Sequence, residues 1–291
     1  MKINILCIVG PTASGKSSRA VEEALARGGE IISVDSRQVY RGLDIGTEKI
    51  TKEEVRGVPH HLIDIREPEE NYSAGDFVTG ATRLIEEISG RGKLPILVGG
   101  THFYFDALLS GLPTGVDANP ALREELEKLS TKELYGRVRL ADARRAAELD
   151  PKNRRRIIRA LEIIEEKGTV PARSNLATKY EVEWIVIDPP MEELRARIDA
   201  RLKSAFVRGL VDEVRRVRGQ VGNARLNELG LEYKIVGEFL RASDLEASLP
   251  SQGEASKSLL LTLSAKLWQY ARRQKAWLRK LREEKTISEA S

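Results

Sequence analysis

Residues 1–20, MKINILCIVGPTASGKSSRA, decide the fold. Lys2–Val9 is a short apolar run of the kind that forms a buried strand, and the stretch from Ser17 reads as a helix stopped by Gly28 and Gly29. Between them GPTASGKS, Gly10–Ser17, fits the pattern G-x-x-x-x-G-K-[ST]. A strand, a glycine loop and a helix form the context in which that pattern holds a chain of phosphates. Gly10 and Gly15 let the backbone curl so that its amides point inward. Lys16 supplies a point charge, and Ser17 stands at the helix N-terminus as a ligand for Mg²⁺.

Working outward, Glu30–Val34 (EIISV), His61–Ile65 (HLIDI) and Leu94–Val98 (LPILV) read as further buried strands separated by helical or loop sequence. That alternation implies an α/β fold with a parallel sheet covered on both faces, built around the phosphate loop in the manner of P-loop NTPases. After GLPTGVDANP the character changes. Ala121–Lys167 is almost continuous helix former, broken near Ser130 and at AELDPKN, and reads as an all-helical insertion. A strand signal returns at Val182–Asp188 (VEWIVID), followed by long helical patterns over Met191–Arg218 and Ser256–Arg282, with Ser243–Ser258 read as a loop. The expected organisation is a core of residues 1–116 and 182–291 and a helical insertion of residues 117–181.

The 291 residues, 41% hydrophobic and 32% charged, describe a chain able to bury a core of its own. No apolar run approaches the roughly 20 residues of a bilayer span. The apolar start leads into the phosphate loop and reads as a strand and not as a signal peptide, so the cytoplasm is the expected compartment. The single cysteine, Cys7, excludes an internal disulfide or a thiolate cluster and is most simply a core residue. The net charge of +4 is unevenly spread. Residues 256–285 hold nine Lys/Arg against two Glu, and residues 117–181 fifteen against twelve, a segregation that suits a polyanion-binding face.

The loop alone leaves open whose phosphates it holds. P-loop ATPases and GTPases hold Mg²⁺ with an Asp at a strand end, yet LPILV ends in Gly99, Gly100 and Thr101. The acid at a strand end is Asp35, at the carboxyl edge where open α/β sheets bind ligands. There it serves as a cap, a metal ligand or a general base. A small-molecule kinase with a mobile arginine lid therefore stays open, as does an RNA-binding protein that uses the loop only as an anion site. His60 and His61 point in opposite directions if extended, which disfavours a shared metal.

In chain order, GPTASGKS, VDSRQVYRGLDIGTEK, GVPHHLIDI, YSAGDF, ILVGGTHFYFDALLSGL, NRRRIIRALEI and YARRQKAWLR resemble the tRNA dimethylallyltransferase (tRNA isopentenyltransferase) family over nearly the whole chain. The resemblance implies transfer of a dimethylallyl group from dimethylallyl diphosphate to the exocyclic amine of the adenosine 3′-adjacent to the anticodon. Gly10, Pro11, Thr12, Ala13, Ser14, Gly15, Lys16 and Ser17 then hold the diphosphate, and Ser17 meets Mg²⁺. Asp35 accepts a hydrogen bond or the proton from the adenine amine, and Thr101 orients the reacting groups while standing where a helix cap belongs. The implied tRNA contacts are Asp35, Ser36, Arg37, Gln38, Thr101, Arg123, Arg155, Arg156, Ile157, Ile158 and Arg159, with Gln38 suited to reading an adenine edge and the Arg272, Arg273, Lys275 cluster as a further RNA face. The adenine must leave its stack to reach the diphosphate. A monomer is expected, working with tRNA and with no membrane. Where bacterial members carry an arginine before a Gly-Tyr pair, this chain has NARLNELGLEYKIV, so Arg225 is the nearest arginine for the diphosphate. One cysteine leaves no ligands for the zinc finger of nuclear and organellar members, which points to the short bacterial type. Adenylate isopentenyltransferase shares the chemistry on free nucleotide, and the basic last helix argues against it.

Overall fold

A computed structural model describes residues 2–112, 116, 119–171, 179–245 and 252–285. Two compact units emerge, one of Met1–Leu108 and Ala177–Ser291, the other of Leu109–Leu176.

The larger unit is the expected α/β fold. Five parallel strands, β1 (Ile3–Val9), β2 (Gly29–Ser33), β3 (His60–His61), β4 (Leu94–Gly99) and β5 (Tyr180–Val186), lie in the order β3-β2-β4-β1-β5. Helix α1 (Lys16–Arg27) packs Ala20, Val21 and Ala24 against Leu6, Ile8, Ile31 and Ile96. Helix α2 (Ala74–Gly90) starts at a capping box of Ser73 and Asp76, buries Phe77, Ala81, Leu84, Ile85 and Ile88, and packs on β1, β2 and β4. Cys7 is wholly buried on β1, and burial pushes its thiol pKa far up, as expected of a core residue.

Register brings the strand ends together, with Val9 opposite both Gly99 and Val186, and Ser33 opposite Val98. The loops after β1, β2 and β4 therefore leave one carboxyl edge. Gly99 is obligatory there, because a Cβ would sit 2.0 Å from the carbonyl oxygen of Val34. Gly99→Ala is expected to cost about 1–3 kcal/mol, read as a lowered urea midpoint, because the overpacking can be relieved only by separating two backbones.

Helix α3 (His102–Ser110) follows β4. Beyond β5 come α8 (Met191–Val207), α9 (Leu210–Leu226), α10 (Leu231–Leu245) and α11 (Gln252–Lys285), named after the four helices of the smaller unit below. They share a second core with Val39, Tyr40 and Leu43. The single pattern expected over Met191–Arg218 is two helices, since Gly209 at φ 99° breaks it. Buried Glu213 of α9 accepts the amides of Asp44, Ile45 and Gly46 and the hydroxyl of Tyr233, which fastens the loop that follows Leu43.

The smaller unit is all helical, with α4 (Pro120–Glu127), α5 (Thr131–Ala141), α6 (Ala143–Glu148) and α7 (Arg154–Lys167) around Leu126, Leu134, Val138, Ile157, Ile158 and Leu161. Its limits need correcting from 117–181. The unit begins at Leu109, and Tyr180 and Glu181 already belong to β5, paired with Ile3 and Asn4. β5 is an edge strand whose first residues alternate buried and exposed, so its start carries no apolar run. β3 is shorter than expected, because Leu62 and Asp64 take positive φ and end the pairing. The loop expected over Ser243–Ser258 is helical up to Leu245 and again from Gln252, and 246–251 lie outside the described residues.

Candidate active site

The loop between β1 and α1 is shaped for anions. Gly15 at φ 88° and Ala13 at φ 61° turn the backbone in the left-handed region, and a Cβ on Gly10 would lie 2.5 Å from Ser14 Oγ. Ser14 is buried, and its hydroxyl lies against Gly10 with no hydrogen-bond partner among the described residues. Lys16 Nζ donates to the carbonyl of Pro11 at 3.2 Å. Burial lowers its pKa to about 8, with Asp35 opposing and Arg201 reinforcing that shift.

A cavity of about 170 Å³ opens on this loop. Residues Thr12 to Ser18 line it together with Asp35, Gln38, Glu48 and Arg201, and so do Ile63 and the residues Ile31, Ile50 and Val98, which belong to one apolar cluster. Polar and apolar linings thus meet within one small space, as a ligand with a charged head and a hydrocarbon tail requires.

Asp35 Oδ1 accepts the amides of Arg37 (2.8 Å) and Gln38 (3.2 Å), which fixes the carboxyl plane. Thr101 Oγ1 accepts the amide of Ser36 at 3.1 Å, and Thr101 N–H donates to Val34. Thr101 does precede α3, but its hydroxyl ties the β4 end to the Asp35 turn instead of capping the helix. Gln38 has its amide committed, with Nε2 donating to Thr47 and Glu48 carbonyls and Oε1 accepting from Ser33. Reading an adenine edge with Gln38 requires those bonds to be exchanged.

Arg225 is not part of this lining. Its guanidinium donates to the carbonyls of Pro68 and Glu70, to Asn71, to Glu228 and to the hydroxyl of Tyr40, so it holds the segment before α2. The arginines at the phosphate loop come from α8, a full element earlier. Arg201 lines the cavity, and Arg197 donates to Ser14 O at 3.1 Å. Their four-residue spacing in RARIDARL puts both on one helix face, the signal that could have found them.

In the helical unit Arg155 and Arg156 are exposed on α7. Ile157 and Ile158 are core residues, 0% and 2% exposed, which corrects their assignment as tRNA contacts: the helical period turns them inward. Arg123 and Arg159 both pair with the buried Glu162, at 2.9 and 3.2 Å. Lys275 is bound to Asp188 and to the Pro189 carbonyl, so Arg272 and Arg273 are the exposed members of that cluster, and Arg279 and Lys280 are exposed further along α11. His60 Nδ1 lies 2.8 Å from the Val58 carbonyl and His61 Nε2 2.8 Å from Glu30, and no group of three or more His, Cys, Asp or Glu suited to a metal occurs among the described residues.

The profile of the family described as "IPP transferase" matches residues 38–281. The chain belongs to the IPP transferase family. Among named members it is 40% identical over 288 residues to the tRNA dimethylallyltransferase of Thermomicrobium roseum, covering 96% of this chain and 84% of that one. It is 42% identical over 287 residues to that of a Roseiflexus species, covering 96% and 91%. Of solved members, the full-length tRNA isopentenylpyrophosphate transferase of Bacillus halodurans superposes with a TM-score of 0.68 at 38% identity, covering 96% of this chain and 87% of that one. A eukaryotic dimethylallyltransferase acting on tRNA superposes at 0.81 with 27% identity, covering 96% and 70%.

Proposed function

We propose that the chain transfers a dimethylallyl group from dimethylallyl diphosphate to the exocyclic amine of the adenosine 3′ to a tRNA anticodon, releasing diphosphate. The observation that carries this is the Ser36–Thr101 bond, which holds Asp35 at the same sheet edge as the phosphate loop. Breaking the allylic carbon–oxygen bond leaves charge on the diphosphate, which the loop amides, Ser14, Lys16 and Arg201 meet in a partly desolvated cavity. The amine nitrogen forms the new bond to that carbon, and its proton passes to Asp35 Oδ2, the oxygen not held by the turn amides. The apolar cluster of Ile31, Ile50 and Val98 takes the hydrocarbon.

Mg²⁺ would suit Ser17, which lines the cavity, because that ion is usually held by one or two protein oxygens plus phosphates and water. When bound it neutralises charge on the leaving diphosphate. Exposed Arg155 and Arg156 on α7 and Arg272 and Arg273 on α11 are the phosphate contacts for tRNA, with Ser36 and Arg37 beside the flipped adenine. No described helix is long and apolar enough to cross a membrane. A cytoplasmic enzyme working as a monomer suits this scheme, in which one chain can supply the phosphate loop, Asp35 and Thr101 and tRNA is the acceptor.

Incubation with labelled dimethylallyl diphosphate, Mg²⁺ and unmodified tRNA bearing adenosine 3′ to the anticodon is expected to label that tRNA. Label on AMP and none on tRNA would reassign the acceptor to a free nucleotide. Phosphoryl transfer from ATP would indicate a kinase.

A further inference from the structure

The phosphate loop has a partner from the far end of the described chain. Gln274 of α11 is 4% exposed, and its Oε1 accepts the amide of Thr12 at 2.8 Å. Its Nε2 donates to the carbonyl of Gly100 at 3.0 Å. The fit leaves no slack: a Cβ on Gly100 would lie 2.8 Å from Gln274 Nε2 and 3.8 Å from Lys16 Nζ. One planar amide thus joins the second residue after Gly10 to the residue before Thr101, and Thr101 in turn holds the Ser36 amide.

We propose that Gln274 is a positioning residue that sets the spacing between the phosphate loop and the Asp35–Thr101 pair. The inference rests on the proposed roles of those two loops. A primary amide is the group the position requires, since it must accept from one backbone and donate to another within a single plane. A hydrocarbon of equal length strands both backbone groups, and the two loops lose their common reference. Because the reacting atoms must meet within a fraction of an ångström, such a displacement is read in turnover. Gln274 touches neither reactant in this scheme and does not carry a proton.

Gln274→Met is the test, read by calorimetry with inorganic diphosphate, by tRNA affinity, by melting temperature and by single-turnover prenyl transfer. We expect diphosphate binding weaker by about tenfold and kcat lower by roughly 10- to 100-fold, with tRNA affinity within twofold of the native chain. Leu278→Ala on the same helix is the control for mere destabilisation, since Leu278 is fully buried. It should lower the melting temperature and leave kcat per folded molecule unchanged. Activity loss in both variants that tracks stability overturns the proposal, as does a Gln274→Met enzyme with native diphosphate affinity and kcat. Should Gln274→Met not fold, Gln274→Glu decides. It keeps the volume and the Thr12 bond but sets two oxygens against each other at Gly100, and a kcat within twofold of native overturns the proposal. If the native chain shows no prenyl transfer, the proposed reaction fails while the diphosphate measurement still decides the spacing role.

Discussion

Asp35→Asn is expected to lower single-turnover prenyl transfer by about 10²–10⁴-fold, the range of a positioned general base, with tRNA affinity preserved. The variant is chosen because asparagine keeps an oxygen for the amides of Arg37 and Gln38, so the turn is retained while the acceptor for the proton becomes an amide nitrogen. A filter-binding measurement beside the rate measurement separates chemistry from recognition. Equal turnover in Asp35→Asn and the native chain would remove Asp35 from proton transfer and leave it a turn residue.

The second large effect is expected at Lys16. Lys16→Met should reduce kcat by roughly 10²–10³-fold, the usual loss when one preorganised donor to a developing oxyanion is removed, and should raise KM for the donor as well. The native lysine also supplies a pH dependence. Its pKa in the protein is lowered from 10.5 to about 8 by burial, so the charge is present below that pH and lost as pH rises through it. At subsaturating donor, kcat/KM should therefore decline above about pH 8. With saturating donor the decline should move to higher pH, since a bound diphosphate favours the charged lysine. A rate at limiting donor that stays flat to pH 10 would contradict the placement of the Lys16 ammonium on the leaving group.

The layered fold was legible in the sequence because the phosphate loop has a rigid local signature and β1, β2 and β4 each carry a short apolar run. β5 was read late and the helical unit misbounded because an edge strand with one solvated face has no continuous apolar run. At the site, Asp35 and Thr101 were legible through motif order, yet their connection through Ser36 depends on strand register, which no local pattern encodes. Ile157 and Ile158 were misread as contacts because a contiguous motif was carried over whole, although a helix exposes only part of it. Arg225 was chosen by distance from a motif, whereas the guanidiniums that reach the loop belong to α8. Gln274 sits inside a quoted motif, but its reach to Thr12 spans a separation of 262 residues and is set by tertiary packing alone.

That long reach bears on how the protein is made. Thr12 leaves the ribosome long before its partner, and at elongation rates of roughly 5–20 residues per second the interval is about 13–50 s. Through that time β1, β2 and β4 can pair and the loop can curl, but its Thr12 amide and the Gly100 carbonyl lack the amide that joins them. A nascent chain therefore passes through a stage with a formed sheet and an unfinished phosphate cradle. Under the proposed role of Gln274, the phosphate cradle is completed only after residue 274 has been made, well after the loop it braces.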